Sequence, residues 1–269
     1  VWLIEAWDRQ QERYIGDREG RFDAMLSVVE WHCERTGITD PTVVDLCCGP
    51  AAIGQRLLVR VPDARYVGID VDPVLLDLAG EVARSFAPGS MEVVECDVSD
   101  AGWLDVVPVG EVDVVCSSTA LHWLSDEQLD ATLGHARRCL RPGGILLNAD
   151  HLGVTETPTF TELAGWIAVR DALAAAARGA LSWQAWWARA RADGRLAPLC
   201  ERRDAIFPPT ESSEEDDEIE AVRASTERRP SLEGFVAAAK RAGFAEVDTI
   251  WQRFDDRIVM AVKAATAHA

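Results

Sequence analysis

Three aspartates and two histidines carry most of the chemistry this chain can offer. Asp45 closes the apolar run Val43-Val44, Asp70 closes Tyr66-Val67-Gly68-Ile69, and Asp97 follows Val93-Val94-Glu95-Cys96. Carboxylates at the ends of successive buried strands can accept hydrogen bonds from hydroxyl or amino groups of a ligand lying across the strand tips. After Asp45 comes Leu46-Cys47-Cys48-Gly49-Pro50-Ala51, a turn of small residues through which backbone can approach a ligand closely. His122 and His151 each stand just beyond a further strand and can take up a proton near neutral pH. The acids and the turn point to nucleoside binding, and the histidines to general-base work.

The elements that must position these groups follow from apolar periodicity. Phe22, Met25, Leu26, Val29 and Cys33 recur at helical spacing, so residues 1–36 read as one or two helices stopped at Thr36-Gly37. Strands are expected over 43–46, 66–69, 91–96, 112–116 and 145–148, with helices over 53–60, 73–85 and 126–140. Short apolar strands separated by helices imply a parallel sheet covered on both faces. Beyond His151 the rhythm changes. Residues 160–197 are rich in Ala and Trp and look helical, and residues 211–218 form an acidic block expected to be solvated. A helix containing Leu232, Phe235, Val236 and Ala239 ends at Gly243, and two strands follow over 247–254 and 258–262.

With Ala120-Leu121-His122-Trp123-Leu124 after strand four and Arg141-Pro142-Gly143-Gly144 before strand five, the chain resembles the class I S-adenosylmethionine-dependent methyltransferases. It is most similar to the small-molecule branch that includes trans-aconitate-type carboxyl methyltransferases. The resemblance covers about residues 41–150 and 233–264, the latter through Phe254-Asp255-Asp256-Arg257-Ile258 as a closing hairpin. It implies an α/β, Rossmann-like fold: a mostly parallel seven-stranded sheet with helices on both faces. Residues 1–40 would form a helical cap and 41–150 the cofactor-binding core. Residues 151–232 would form a helical insertion over the acceptor, and 233–269 the last helix and hairpin.

The same resemblance assigns roles. Asp45, Cys47 and Gly49 would frame the cofactor at the first turn, and Asp70 would accept from two ribose hydroxyls. Val71 would pack on the purine, Asp97 would accept from the adenine amino group, and the Val98 N–H would meet a ring nitrogen. Ser117 would line the methionine portion, and Arg18 would meet its carboxylate. Glycine is usual where this chain has Cys47 and Ala51; these residues serve where the backbone avoids positive φ. Asp17 paired with Arg21 on the surface would explain the charges of the second helical region equally well.

The expected reaction is in-line transfer of a methyl group from S-adenosylmethionine to a small molecule, leaving S-adenosylhomocysteine. O-methylation is favoured, with N- and C-methylation open. His122 and His151 are the base candidates; a protonated acceptor needs one and a carboxylate does not. His122 beside Trp123 also fits a pocket-shaping role. Trp183, Trp186 and Trp187 either wall the acceptor pocket or pack on the core. Two other readings compete. Gly49-Pro50-Ala51-Ala52-Ile53-Gly54 reads as G-x-A-x-x-G, and Asp70 stands where a nicotinamide-dependent oxidoreductase keeps its ribose acid, although Pro50 lacks an N–H. A cofactor-binding relative without turnover would accommodate Cys47 and Ala51.

Composition narrows the partners. The 269 residues carry 45 acids against 27 Lys and Arg, a net charge of −18, which disfavours nucleic acid and anionic membranes. Cys47-Cys48 lacks the spacing of a metal site, and the seven cysteines show no disulfide framework, so a reducing cytoplasm is expected. The chain shows no signal-peptide pattern and no apolar stretch of membrane-spanning length. Its sequence leaves the oligomeric state open.

Overall fold

A computed structural model describes residues 2–208 and 231–265; the acidic block 211–218 lies outside them. Two helices, α1 (Trp2–Gln11) and α2 (Arg18–Thr36), precede the sheet. Strand–helix alternation then runs β1 (Thr42–Leu46), α3 (Ala52–Arg60), β2 (Arg65–Asp70), α4 (Pro73–Ala83), β3 (Met91–Glu95), β4 (Val112–Ser118), α5 (Asp126–Cys139) and β5 (Leu140–His151). Next come α6 (Pro158–Ala177), α7 (Trp183–Ala192) and α8 (Ala197–Ile206), then α9 (Leu232–Arg241), β6 (Glu246–Arg253) and β7 (Asp256–Val262).

The seven strands form one sheet in the order β3-β2-β1-β4-β5-β7-β6. The first five are parallel, and β7 runs antiparallel between β5 and β6. That is the mostly parallel architecture expected. Local chemistry explains its punctuation. Asp72 caps α4, its Oδ1 accepting from the Val74 and Leu75 amides, with Pro73 at the first helical position. Ser125 and Gln128 form a capping box on α5, and α2 stops at Gly37 with φ 73°.

Several boundaries differ from expectation. The strand expected over 112–116 runs on to Ser118, and the one expected over 145–148 spans Leu140–His151 because β7 pairs with it from Ile145 to His151. The segment 160–197 is broken: Gly179 has φ 89°, Ser182 caps α7, and Asp193 turns the chain into α8. Short 3-10 turns at Ala101–Asp105 and Leu121–Trp123 were not expected.

Side chains alternate across the sheet. Leu46, Leu146 and Val259 pack with α5 and α9 in one core; Val43, Tyr66 and Leu147 pack with α2 and α3 in the other. Helix α2 is therefore a layer of the sheet itself. Helix α1 joins a third cluster, in which Trp7 meets Leu78 of α4 and Trp186 of α7. The Trp7 and Trp186 rings lie 4.8 Å apart, edge to face. This seam holds α1 and α7 above the tips of β1 and β2.

Candidate active site

The turn after β1 is a run of left-handed residues. Cys47 has φ 57°, Gly49 φ 54° and Ala51 φ 60°. The expectation that Cys47 and Ala51 avoid positive φ is overturned, and each side chain there costs on the order of 1–2 kcal/mol. The surroundings hold the turn. Cys48 N donates to Ile69 O (3.0 Å), Ala51 N to Cys48 O (3.0 Å) and Gly49 N to Asp70 Oδ2 (2.7 Å). Strain of this kind persists where neighbouring bonds over-determine the backbone, typically at ligand-binding turns.

The acids meet this turn. Asp70 accepts from the amides of Gly49 (2.7 Å), Val71 (2.7 Å) and Asp72 (2.9 Å). Burial pushes its carboxyl up to about 6, and these N–H bonds hold it from rising further. With about four acceptor positions on a carboxylate, one remains at Oδ2, where the sequence had suggested room for two hydroxyls. Asp45 is 1% exposed, and its Oδ2 accepts from the Tyr66 hydroxyl at 2.7 Å. Burial pushes this carboxyl up to about 7. Asp97 is exposed, its Oδ1 accepting from Ser99 N (2.8 Å) and Ser99 Oγ (2.7 Å).

A cavity of about 590 Å³ opens over these groups. Asp45, Cys47, Gly49, Asp70, Val71, Asp97 and Val98 line its floor, while Trp7, Ile15, Arg18, Phe22, Trp183 and Phe207 face them. Arg18 Nη1 pairs with Asp8 Oδ1 at 2.6 Å, and its guanidinium stacks 4.6 Å from the Phe22 ring. Its Nε is buried and without a hydrogen-bond partner. A carboxylate entering from the cavity would satisfy that donor. Ser117 is not part of the lining. It is 2% exposed, and its Oγ donates to Leu46 O at 2.9 Å. Because β4 continues to Ser118, alternation turns Ser117 into the opposite core, and Ser118 and Thr119 reach the cavity instead.

Neither expected base lines the cavity. His122 Nδ1 lies 2.8 Å from Asp150 Oδ1, and its amide donates to Asp150 Oδ2 at 3.3 Å. Asp150 is fully buried and shares the α5/α9 face of β5 with Asn148, so it draws the imidazole toward that side. His151 Nε2 lies 3.0 Å from Tyr14 O, and its Nδ1 lies 3.3 Å from Asp255 Oδ2. It ties the α1–α2 connection to the hairpin. The placement follows from the extra length of β5, which carries His151 under the turn at Asp255.

Comparison with known proteins places the core of the chain. Residues 43–144 match the family described as "Methyltransferase domain". This segment is a class I S-adenosylmethionine-dependent methyltransferase domain. Among curated relatives, this chain is 32% identical over 144 residues to trans-aconitate 2-methyltransferase of Azoarcus sp. (strain BH72), covering 53% of this chain and 50% of the other. It is 36% identical over 160 residues to the 4-amino-L-phenylalanine/4-methylamino-L-phenylalanine methyltransferase of Streptomyces pristinaespiralis, covering 51% and 50%. The chain thus spans about half the length of the curated relatives it matches. A solved O-methyltransferase family protein from Burkholderia thailandensis shares the fold at TM-score 0.53 and 18% identity, over 98% of this chain and 70% of that one.

The nicotinamide reading gives way. In this chain β7 is inserted antiparallel between β5 and β6, unlike the parallel dinucleotide-binding order. Gly54 of the G-x-A-x-x-G run has a packing reason: a Cβ there would lie 2.6 Å from Tyr66 Cζ. Two arginines take places that the sequence did not suggest. Arg21 is fully buried, with Nη1 2.8 Å from Asp256 Oδ1 and Nη2 2.9 Å from Ser118 Oγ, and it also donates to Thr119 Oγ1. The expected surface pair with Asp17 is therefore replaced by a buried pair with the hairpin. A signal was available, since Arg18, Arg21, Met25, Val29 and His32 are buried along one face of α2. Arg203 of α8 lines the cavity, with Nε 2.7 Å from Asp72 Oδ2 and its guanidinium 3.9 Å from the Trp187 ring.

Proposed function

We propose that this protein transfers the methyl group of S-adenosylmethionine to a small molecule held in the cavity over β1, β2 and β4. The single observation that carries the reading is the convergence of the strained turn, Asp70, Asp97 and Arg18 on one cavity of about 590 Å³. Asp70 and Asp97 would hold the nucleoside, Val71 and Val98 its base, and Arg18 Nε the amino-acid carboxylate. When bound, the sulfonium supplies an activated methyl group with its own leaving group. The chain's task is then to align donor and acceptor, and orientation can supply on the order of 7–11 kcal/mol.

The two curated relatives are named for small acceptors, one a carboxylic acid and one an aryl amine. Both chemistries suit a cavity lined by neither histidine. A carboxylate or an uncharged amine already has a lone pair to offer, so the oxygen acceptor favoured by the sequence and a nitrogen acceptor remain the two candidates. The net charge of −18 supports a small acceptor over nucleic acid. All seven cysteines are free, which supports a reducing, cytoplasmic setting, and no helix among the described residues is long and apolar enough to cross a membrane. The division we favour keeps residues 1–40 as a helical cap, 41–150 as the donor-binding core, 151–232 as the helical insertion over the acceptor, of which 209–230 lie outside the described residues, and 233–269 as the closing elements.

Calorimetric titration of the full chain with S-adenosylhomocysteine tests the reading. Binding that is weakened by Asp97→Ala and Arg18→Gln is expected; no detectable binding refutes it. Binding with no methyl transfer to any acceptor would point to the non-catalytic relative.

A further inference from the structure

We propose that the protein has a second small-molecule site, a cavity between α6 and the β6–β7 hairpin that takes an organic carboxylate with an apolar body. The proposal goes beyond the donor reading and does not rest on it. This second cavity, of about 500 Å³, shares no lining residue with the one over β1, β2 and β4. Arg257 is the first argument. It lies in β7 on the same face as Val259, toward α5 and α9, while its neighbour Asp256 faces the other way and pairs with Arg21 at 2.8 Å. Arg257 lines the cavity and is 7% exposed. Its Nη1 donates to two carbonyls, Leu152 O and Asp255 O (3.4 Å), and its Nε is buried without a hydrogen-bond partner. Among the described residues, no carboxylate forms an ion pair with it.

The acids around Arg257 are engaged elsewhere. Asp255 also lines the cavity, but its Oδ2 lies 3.3 Å from His151 Nδ1. Glu233 Oε2 accepts from Thr155 N at 3.5 Å. Burial draws the Arg257 pKa below the ordinary arginine value against the pull of Asp255, Glu233 and Asp256, so these acids do not make up for the water the guanidinium has lost. Arginine keeps its proton regardless. A buried cation short of a counter-ion favours an anion brought by a ligand.

The start of α6 is the second argument. Thr157, Phe160 and Thr161, at its N-terminal end, line the same cavity. The helix is 20 residues long, has no acid in its first turn and receives no side-chain cap. The Thr157 hydroxyl donates instead to Val154 O at 2.7 Å. The positive end of the helix dipole therefore stands without the anion that such ends favour. Glu156 and Glu162 flank this turn in sequence, but both are exposed and neither lines the cavity. The walls supply the third argument. Val154, Phe160, Leu163 and Phe254 are exposed along the cavity, and an apolar body attached to the anion would cover them where a small inorganic ion would not. The net charge of −18 repels any anion at long range, but screening beyond about 8 Å at physiological salt leaves the local contacts to decide.

The test titrates the full chain by calorimetry with 3-phenylpropanoate, its neutral amide, 3-phenylpropan-1-amine and inorganic phosphate. The carboxylate is expected to bind at least about tenfold more tightly than each of the others. Arg257→Gln should weaken it by about tenfold or more. Phe160→Ala, at a side chain 70% exposed and so outside the packed core, should weaken it by about threefold or more even if the arginine variant fails to fold. Saturating S-adenosylhomocysteine should leave the carboxylate's affinity within about twofold, because the two cavities share no lining residue. Absence of carboxylate binding, equal binding of the amide, the amine or phosphate, displacement by S-adenosylhomocysteine, or an affinity unmoved by Phe160→Ala overturns the proposal. Carboxylate binding that Phe160→Ala weakens, in a chain that does not bind S-adenosylhomocysteine, would sustain this site while removing the donor reading.

Discussion

Replacing Asp45 by asparagine should stabilise the protein, and more so as pH rises. Asp45 is 1% exposed at the end of β1, and its carboxyl is pushed from 3.8 up to about 7, chiefly by burial. Below about pH 3.8 the folded and unfolded chains both carry the proton, and the group costs nothing. Between pH 3.8 and 7 the unfolded chain ionises while the folded chain does not, so stability drains away as pH rises. Above pH 7 the full difference is in place, about 4 kcal/mol at 1.36 kcal/mol for each pH unit. The same relation gives roughly 1.5 kcal/mol at pH 5 and roughly 4 kcal/mol at pH 8. Asparagine cannot ionise, and its amide can accept from the Tyr66 hydroxyl and face the Cys116 sulfur, both of which hydrogen-bond Asp45. Urea unfolding of wild type and Asp45→Asn at the two pH values reads the difference directly, with the contributions of all other groups cancelling at each pH. The variant should gain roughly 2.5 kcal/mol more at pH 8 than at pH 5, several degrees in melting temperature for a chain of this size. A gain independent of pH, or larger at pH 5, refutes the assignment of a strained carboxylate beneath the first turn.

Three further outcomes follow from named contacts. Asp70→Asn turns an amide N–H2 toward backbone N–H groups of Gly49, Val71 or Asp72; S-adenosylhomocysteine affinity should fall at least about thirtyfold by calorimetry. Arg21→Met leaves Asp256 buried without its cation and should cost about 3–5 kcal/mol in urea unfolding, while adding Asp256→Leu should recover most of it. Ser117→Ala removes a buried hydrogen bond to Leu46 O, so stability should fall by about 1 kcal/mol while donor-product affinity stays within about twofold.

The sheet and its donor half were legible because they obey local rules. Apolar runs of four to six residues ending in acids can be read as strands with functional tips, and alternation then sorts their faces. What failed was range. Ser117 stands just past the expected strand four, but pairing with β5 carries β4 two residues further, to Ser118, and alternation along the extended strand turns Ser117 away from the cavity. His151 was read as lying beyond a strand, yet pairing with β7 extends β5 through it. Both errors come from partners distant in sequence, which no local pattern records. Phe254 shows the same blindness: expected as the last residue of the strand over 247–254, it lies in the turn between β6 and β7 with φ 56°.

The helices above the site were less legible for a different physical reason: charged residues make many of their joints with the core. Arg56 of α3 reaches Asp8 of α1 at 2.8 Å and Glu19 of α2, Arg203 of α8 holds Asp72 at the mouth of α4, and Arg195 bonds Asp77 and Glu81 of α4. In a sequence these read as solvated surface charges, and such pairs contribute roughly 0–1 kcal/mol each when exposed. Stacking of Arg56 on Phe22 and of Arg203 on Trp187 converts their pairs into positional constraints, because an aromatic face over a guanidinium fixes its plane as well as its place. The cavity floor therefore depends on backbone geometry that tolerates few alternatives, whereas the wall facing it depends on arginine–aromatic–carboxylate joints that a few substitutions can re-aim. Under the proposed function, a change of acceptor would act on that wall and leave the floor alone.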